Sequence, residues 1–276
     1  MNQLMRIFAI RDEELPKDET LAYLLYYEQA KCFYIELPDG ADPWTTPLLL
    51  SSFLKRGEYT INAHWSRMWV QQRIIPSNRQ NLGQILKANS LETYDEFQLL
   101  ILANGRCAQD SCYIEEIQLE SVLPSVRKRW ESKVEEVIPL KSHCLLVFFR
   151  DGTVRKCDIT PIVEGNKAFQ PILLNETIFC SVAVQTDGYG IYWSEQAEID
   201  NATLYQAGEE VPISLDDFRS FITNRVVNST EAAEMLGCSR QNIDDLTKRG
   251  KLHPIRFDTR NKLYLKNEVQ QRMPRY

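Results

Sequence analysis

Three neighbouring residues near the C-terminus, Arg240, Gln241 and Asn242, belong to the residue types that read DNA bases. An arginine can pair with guanine through two hydrogen bonds, and a glutamine or asparagine amide can do the same with adenine. They follow Ser239, a residue type that favours the position just before a helix. The sequence therefore predicts that these side chains project from the start of a helix, and their types suit contacts with base edges.

Basic residues continue beyond this segment: Lys248, Arg249, Lys251, Arg256, Arg260 and Lys262. Residues 221–276 hold 11 Lys and Arg against 6 Asp and Glu, a net charge of +5. The other 220 residues hold 21 against 32, a net charge of −11, and the two parts add to the −6 of the whole chain. A basic end on an acidic body is the asymmetry expected when one module binds a polyanion.

Two acidic residues oppose this interpretation, because Asp244 and Asp245 lie within the same helix. Phosphates repel them unless they turn away or accept a hydrogen bond from a cytosine amine. DNA binding therefore requires the basic side chains to share one face from which both aspartates turn away. The alternative is a small helical domain that contacts protein, with its basic residues on a solvated face.

Two short helices should carry these side chains. Asn228 and Glu231 have the spacing of a capping box, which begins a helix, and Gly237 favours the positive φ that ends one. Ile243 and Leu246 then dock a second helix that begins after Ser239. Gly250 ends this helix.

A two-stranded wing and a closing helix are expected next. The wing is predicted from Leu252, Pro254, Ile255 and Phe257 on one side of a polar turn and from residues 263–265 on the other. Residues 266–272 are predicted to form the closing helix, with Val269 facing inward.

The segment of residues 226–272 resembles the excisionase-like winged helix-turn-helix modules of the MerR type. Their pattern is a capped EAA helix, a Gly-x-Ser turn, a second helix that ends in two basic residues and a glycine, and a basic wing. The resemblance implies that the second helix enters the major groove with Arg240, Gln241 and Asn242 at the base edges. It implies that the basic residues after that helix contact phosphates.

Length and composition place the chain among globular proteins, with 276 residues of which 43% are hydrophobic and 25% charged. These values fit two or three domains with hydrophobic cores. No signal peptide is recognisable at the N-terminus, and no apolar run approaches the ~18 residues of a membrane helix. We therefore expect a cytoplasmic protein with no membrane partner.

Cysteine and histidine usage predicts no disulfide framework, metal site, cofactor or catalytic centre. The seven cysteines are odd in number and form no CxxC pair; Cys107 and Cys112 are the closest, and no histidine accompanies them. His64, His143 and His253 each lie in a different predicted domain. Since P-loop, GxGxxG, HExxH and GxSxG motifs are also absent from the sequence, we expect no enzyme.

Residues 1–125 are predicted to form an α+β domain of unknown role. A strand is expected over 5–10, a hairpin over 21–27 and 32–37, and helices over 47–55, 66–75, 79–89 and 93–104. Trp69 with Arg67, Arg73 and Arg79 could bind an anion or nucleic acid. The favoured interpretation is a core tryptophan beside arginines that pair with acids such as Asp95 and Glu96.

A linker or exposed helix end is expected at Arg127, Lys128 and Arg129, and residues 130–212 are predicted to form a second small α+β domain. Strands are expected over 134–138, 144–149 and 153–158, a short helix over 159–163, and a hairpin over 179–185 and 190–193. The region resembles the bacterial family called domain of unknown function 2442, on Phe149, Asp151, Gly152, Trp193, Ile199, Leu204 and Tyr205. That resemblance implies a small α+β fold with occasional fusion to a helix-turn-helix, and no reaction.

The fold class predicted from the sequence is thus α+β, with two small α+β domains (1–125 and 130–212) followed by a winged helix-turn-helix (221–276). The predicted function is that of a bacterial transcriptional regulator that binds double-stranded DNA as a homodimer. The first two domains would serve oligomerisation or the sensing of an effector or partner. The alternative is a non-enzymatic adaptor or antitoxin-like protein whose helix-turn-helix contacts protein.

Overall fold

The computed structural model describes residues 5–212, 215–256 and 262–272, and it has a mixed α+β fold with several small sheets. The chain divides into two compact units. The first consists of residues 1–151 and 157–208, and the second of residues 152–156 and 209–276.

The elements of the first unit follow the chain. Its strands are β1 (Met5–Asp12), β2 (Ala22–Tyr27), β3 (Cys32–Glu36), β4 (Thr60–Ile61), β5 (Cys112–Ile117), β6 (Val134–Pro139), β7 (Cys144–Phe149), β8 (Val154–Asp158), β9 (Ala183–Val184), β10 (Gly190–Ser194) and β11 (Ala197–Asp200). Residues 154–156 of β8 belong to the second unit. Its helices are α1 (Leu48–Leu54), α2 (Ala63–Gln71), α3 (Leu82–Ala88), α4 (Glu96–Leu102), α5 (Pro124–Arg129), α6 (Gln170–Leu174), α7 (Glu176–Phe179) and α8 (Asn201–Ala207). Single 3₁₀ turns are formed by Leu119–Ser121, Trp130–Ser132, Lys167–Phe169 and Thr186–Gly188.

A five-stranded antiparallel sheet in the order β4-β3-β2-β1-β5 forms the N-terminal part of this unit. All six residues of β2 are buried, so both faces of the sheet are covered. One face packs against helices through residues such as Leu24, Phe33 and Trp69. The other carries an aromatic cluster that includes Tyr27 and Tyr34. The predicted strand and hairpin are confirmed.

The predicted helices of this part are present with shifted ends. The second, α2, begins at Ala63 rather than at residue 66, because the Asn62 side chain accepts a hydrogen bond from the Trp65 amide and caps the helix there. Trp69 is fully buried, as the favoured interpretation required. The Arg73 guanidinium lies 3.7 Å from the Trp69 ring centre and pairs with Asp110.

Arginine pairing in this region is only partly as predicted. Arg67 forms two hydrogen bonds with Glu96, at 2.8 and 3.0 Å. Asp95, expected as a second arginine partner, instead caps α4 by accepting a hydrogen bond from the Gln98 amide. Arg67 and Arg73 therefore pair with acidic side chains of their own unit, and Arg73 also packs on Trp69.

Residues 124–132 form a packed helical segment, α5 and the 3₁₀ turn after it, in place of the predicted linker. Arg127 and Lys128 are exposed at the end of α5, which agrees with the other predicted possibility, an exposed helix end. The Trp130 indole donates a hydrogen bond of 2.9 Å to Glu36 on β3, and Arg129 contacts Glu36 and Asp39. Glu36 is fully buried, and these donors replace the water that it loses. The division into domains 1–125 and 130–212 stays a prediction.

The predicted strands of the middle region are present: β6 pairs antiparallel with β7, and β8 follows after the turn at Gly152. One prediction was wrong, because residues 159–163 form turns instead of a helix. The predicted hairpin over 179–185 and 190–193 is present with a shorter first strand: β9 pairs antiparallel with β10, and Phe179 belongs to α7, which Asn175 caps.

A buried ion pair, Lys133 with Asp187, lies beside the aromatic cluster. The Lys133 Nζ is 2.6 Å from Asp187 Oδ2, and the Tyr27 hydroxyl donates to the same oxygen at 2.6 Å. Arg150 donates to Asp187 Oδ1 at 3.0 Å. The Lys133 ammonium also lies 3.8 Å from the centre of the Tyr189 ring, which itself stacks on another aromatic ring of the cluster.

Burial lowers the pKa of Lys133 to about 8. Burial acts to raise the pKa of Asp187, but Lys133 and Tyr27 outweigh it, and that pKa lies below its ordinary value.

The second unit contains β12 (Glu209–Val211), α9 (Leu215–Arg225), β13 (Val226–Asn228), α10 (Ser229–Leu236), α11 (Arg240–Lys248), β14 (Leu263–Leu265) and α12 (Lys266–Gln270). Residues 154–156 pair antiparallel with β12, and β13 pairs antiparallel with β14. A small core joins these elements, and its buried members are Val227, Ala232, Ala233, Ile243, Leu252, Tyr264 and Val269. The predicted closing helix is confirmed as α12.

None of the helices in the described ranges has the length and apolar composition that a membrane crossing needs.

Candidate nucleic-acid interface

The predicted cap of the first helix, α10, is present. Asn228 accepts hydrogen bonds from the amides of Thr230 and Glu231, and the Glu231 carboxylate accepts one from the Asn228 amide at 2.8 Å. Gly237 ends the helix with φ +60, in the left-handed region where a glycine carries no side-chain penalty. Ala232 and Ala233 are buried, so this face of α10 docks on the core.

The second helix, α11, begins after Ser239, whose hydroxyl accepts a hydrogen bond of 3.3 Å from the Asn242 amide. Ile243 is fully buried and Leu246 packs beside it, which anchors the helix by one side. Ser239, Arg240, Gln241 and Asn242 are all exposed. The structure thus brings the predicted base-reading side chains together, on the first turn of an anchored helix and open to solvent.

The basic residues predicted to face phosphates have different surroundings. Lys248, Arg249, Lys251 and Arg256 are exposed. Lys262 is partly buried, and its ammonium forms an ion pair of 2.7 Å with Asp244. Arg260 lies outside the described residues. Among the residues predicted to face phosphates, the exposed positive charges therefore lie at the end of α11 and in the segment that follows it.

Asp244 does not turn away from the basic side chains, as DNA binding was expected to require. Asp244 follows Arg240 by four residues and precedes Lys248 by four, so the three share one side of α11. The hydrogen bond from Lys262, helped by the charges of Lys248 and Arg240, lowers the pKa of Asp244 below its ordinary value. Its charge is thus largely balanced within the unit. Asp245 is exposed.

The predicted wing is present only in part. Ile255 donates a backbone hydrogen bond of 2.8 Å to the Leu263 carbonyl, and Arg256 and Leu263 form an isolated bridge. The more extensive pairing of β14 is with β13 at the start of the unit. Phe257 of the first expected strand and residues 258–261 of the expected turn lie outside the described residues.

Two contacts that sequence patterns did not reveal hold this surface in place. Tyr264 is fully buried, and its hydroxyl lies 2.9 Å from the Thr247 hydroxyl on α11. Glu268 on α12 accepts hydrogen bonds from the amide and the ring Nδ1 of His253, at 3.1 and 2.9 Å. Each contact links residues about 15 positions apart, so no local sequence pattern predicts it. The one sequence signal was the burial of Tyr264, an aromatic residue in an alternating run typical of a strand.

Two adjoining clefts lie within the first unit, with volumes of about 810 and 950 Å³. Glu198 lines both, and its carboxylate accepts hydrogen bonds from Asn62 at 3.2 Å and Gln185 at 2.6 Å. Acidic, basic and aromatic side chains all line the first cleft, and Glu36 and Arg129 there are paired with each other. This mixed, internally paired lining favours no one class of ligand. Within the described ranges, no group of three or more His, Cys, Asp or Glu side chains is placed to hold a metal ion.

Comparison with known families assigns only the middle of the chain. Residues 134–210 match the family described as Protein of unknown function (DUF2442), which confirms the resemblance predicted for this region. The description of that family names no activity. No curated protein and no solved structure matches the chain. The resemblance of residues 226–272 to MerR-type modules stays a prediction.

Proposed function

We propose that the second unit binds double-stranded DNA and that the protein is a cytoplasmic bacterial transcriptional regulator. The observation that carries the proposal is the first turn of α11. Arg240, Gln241 and Asn242 are exposed there side by side, on a helix that Ser239 caps and Ile243 anchors. Side chains of these types on an anchored helix can form paired hydrogen bonds with base edges in the major groove.

The charges at the two ends of α11 also favour a contact of this helix with DNA. The N-terminus of α11 carries partial positive charge from its backbone amides, and Arg240 adds a full charge beside it. At the other end of the helix, Lys248 and Arg249 are exposed, and Lys251 follows. A phosphate backbone that runs past this end would meet these charges, while the side chains of the first turn read the groove.

Specificity sets a further condition on the proposal. A single module of this size buries a modest interface on DNA, so useful specificity calls for two copies on a repeated half-site. We therefore propose that the protein acts as a homodimer, with the first unit available to sense an effector or a partner.

The test is fluorescence anisotropy of the full-length protein with mixed genomic duplex fragments at two salt concentrations. Binding should weaken steeply with salt, because each phosphate contact releases counterions. The double variant Arg240→Ala, Arg249→Ala should lose at least about tenfold in affinity, since removing two charged contacts costs on the order of 2 kcal/mol.

The matched control is Arg127→Ala, Lys128→Ala, which removes two exposed charges from α5 in the first unit. It should bind DNA as the wild type does. Absence of binding at low salt by folded protein would refute the proposal. An equal loss in the control would show that only the total charge matters.

A second candidate function, docking of α11 on a protein partner, is favoured by the acidic residues of its exposed side. Asp245 is exposed, and Asp244 lies between Arg240 and Lys248. A surface with alternating charges suits a protein with complementary charges better than it suits a uniformly negative polymer. If the protein fails to bind DNA, an antitoxin-like or adaptor role becomes the better explanation.

A further inference from the structure

The second cleft of the first unit differs from the first cleft, because its charges do not cancel. Its carboxylates are Asp95, Glu96, Glu195 and Glu198, and its permanent cations are Lys31 and Arg67. With His64 counted as neutral, this lining has a net charge of −2. Arg67 is already paired with Glu96, and Lys31 is exposed at the turn between β2 and β3. The second cleft therefore attracts a cation more than an anion.

Glu198 on β11 lies where the two clefts meet, and neutral groups hold its carboxylate in place. Its Oε1 accepts a hydrogen bond of 3.2 Å from the Asn62 amide, and its Oε2 accepts one of 2.6 Å from the Gln185 amide. The Asn62 side chain is itself fixed, because its carbonyl caps α2 by accepting from the Trp65 backbone amide. Since both donors are uncharged, they orient the carboxylate without cancelling its charge. No cation of the described ranges forms an ion pair with it.

Tyr34 also lines both clefts, and it offers them a hydroxyl without a partner. Only 4% of its surface is exposed. Its ring stacks on Tyr189, with 3.8 Å between the ring centres, and contacts Tyr27 edge-on. These contacts fix the ring, yet its hydroxyl forms no hydrogen bond with any group in the described part of the chain. Nearly buried hydroxyls without a partner are uncommon, and this one can still accept from a ligand.

The hydroxyl and the carboxylate are near each other without being bonded. Burial raises the pKa of Tyr34 well above its ordinary value, and the Glu198 carboxylate is among the smaller contributions to that rise. The hydroxyl therefore stays neutral at physiological pH. An ammonium group has three donors, so one placed between the two side chains can donate to the carboxylate and to the hydroxyl oxygen together.

We propose that the junction of the two clefts binds the ammonium group of a small organic amine, with Glu198 as its ion-pair partner and Tyr34 as a second acceptor. Tyr26, Phe33 and Phe97 also line the second cleft and give the rest of the ligand an apolar wall. A metal ion fits less well, because the described ranges place no group of three acidic, His or Cys side chains to hold one. The inference concerns ligand binding by the first unit and does not rest on DNA binding.

Isothermal titration calorimetry of the full-length protein with hexylamine tests the site. The titration is made in about 0.15 M salt, where general attraction to an acidic surface is largely screened. Hexylamine should bind with a Kd on the order of 100 µM, as expected for a ligand of this size. The neutral analogue 1-hexanol should bind at least about tenfold more weakly, because it cannot form the ion pair.

Two variants remove the two acceptors one at a time. Glu198→Gln should weaken hexylamine binding at least about tenfold, because it removes the charge and keeps the shape. The matched control is Glu195→Gln, which makes the same change in charge at an exposed position of the same cleft. It should change the Kd less than about twofold.

Tyr34→Phe removes only the hydroxyl and should weaken binding about three- to tenfold, as expected for one hydrogen bond. Its control is Tyr192→Phe, at an exposed tyrosine on β10, which should bind as the wild type does. Circular dichroism should show that all four variants are folded.

Four results would overturn the inference. The first is no binding of hexylamine up to about 5 mM, and the second is equal binding of 1-hexanol. The third is an equal loss in Glu195→Gln and Glu198→Gln, which would mean that only the total charge of the cleft matters. The fourth is displacement of hexylamine by an equal concentration of magnesium chloride, which would identify a divalent-cation site instead. Specific binding of hexylamine by a protein that fails to bind DNA would support the inference and count only against the proposed function.

Discussion

Asp187 accepts hydrogen bonds from three side chains of the first unit, those of Lys133, Tyr27 and Arg150. Lys133 is almost fully buried, so its charge depends on this carboxylate and on the Tyr189 ring. A buried cation with one anionic partner is vulnerable, because loss of the partner leaves an uncompensated charge in a medium of low polarity. The cluster is therefore a sensitive point for the stability of this unit.

We predict that Asp187→Asn lowers the free energy of unfolding by about 3 kcal/mol, as expected when one partner of a buried pair is removed. The double variant Lys133→Met, Asp187→Asn should be more stable than the single variant, because it also removes the stranded charge. Urea denaturation followed by fluorescence measures both. A double variant that is less stable than the single one would contradict the explanation.

The same pair gives a pH dependence of known sign. The pKa of Asp187 is lowered in the folded protein, so its contribution to stability is present above its ordinary pKa and is lost as the pH falls through the folded value. Between pH 5 and about 2, wild type should therefore lose more stability than Asp187→Asn.

Gly188, next to this carboxylate, lies against the backbone of Val134. A Cβ added at Gly188 would be 2.2 Å from the Val134 carbonyl oxygen, and φ is +79. We predict that Gly188→Ala lowers the free energy of unfolding by about 3 kcal/mol or more. Gly165→Ala is the control, because φ there is +77 but the space is open. It should cost only about 1 kcal/mol, measured in the same urea titration.

At the scale of the element, how much the sequence predicted depended on whether the information was local. The capping box at Asn228, the turn at Gly237 and the cap at Ser239 involve neighbours within three residues, and all three are present. The pairing of β13 with β14 joins residues 226 and 265, and no local pattern reports it. Strand β5 also escaped prediction, because its glutamates interrupt the apolar alternation.

At the candidate interface too, contacts between neighbours in the sequence were predicted and contacts between distant residues were not. Ser239 and the three residues after it were predicted from their types and spacing, and they lie where expected. The pairing of Asp244 with Lys262 was not predicted, because the two residues are 18 positions apart and meet only through the fold. Because the Lys262 ammonium balances the Asp244 carboxylate, the exposed side of α11 is less negative than the sequence alone indicated.

If α11 faces DNA, Asp244→Asn should strengthen binding by about two- to fivefold, because it removes a negative charge near phosphates and releases the Lys262 ammonium. The measurement is anisotropy at constant salt. Glu164→Gln, an exposed site in the first unit, makes the same change in charge and should have no effect. Unchanged or weaker binding by Asp244→Asn would indicate that α11 does not face the duplex.

At the scale of the whole molecule, two compact units each have a hydrophobic core of their own. Units of this kind commonly unfold in separate steps. A substitution confined to one unit should then shift only the transition of that unit.

We predict two unfolding transitions by calorimetry. Asn228→Ala removes the capping box of α10 and should destabilise the second unit by about 1 kcal/mol without moving the transition of the first. Thr230→Ala, at an exposed position of the same helix, should shift neither transition appreciably. A single transition that moves as a whole would show that the two units unfold together.

The pairing of residues 154–156 with β12 has a consequence for synthesis of the chain on the ribosome. The partner strand begins at Glu209, 53 residues after Lys156. At translation rates of about 5–20 residues per second, this edge of β8 waits roughly 3–10 s for its partner. An unpaired strand edge is a template for other chains. Nascent copies that crowd one messenger RNA are therefore most exposed to mispairing in that interval, and slower translation would lengthen it.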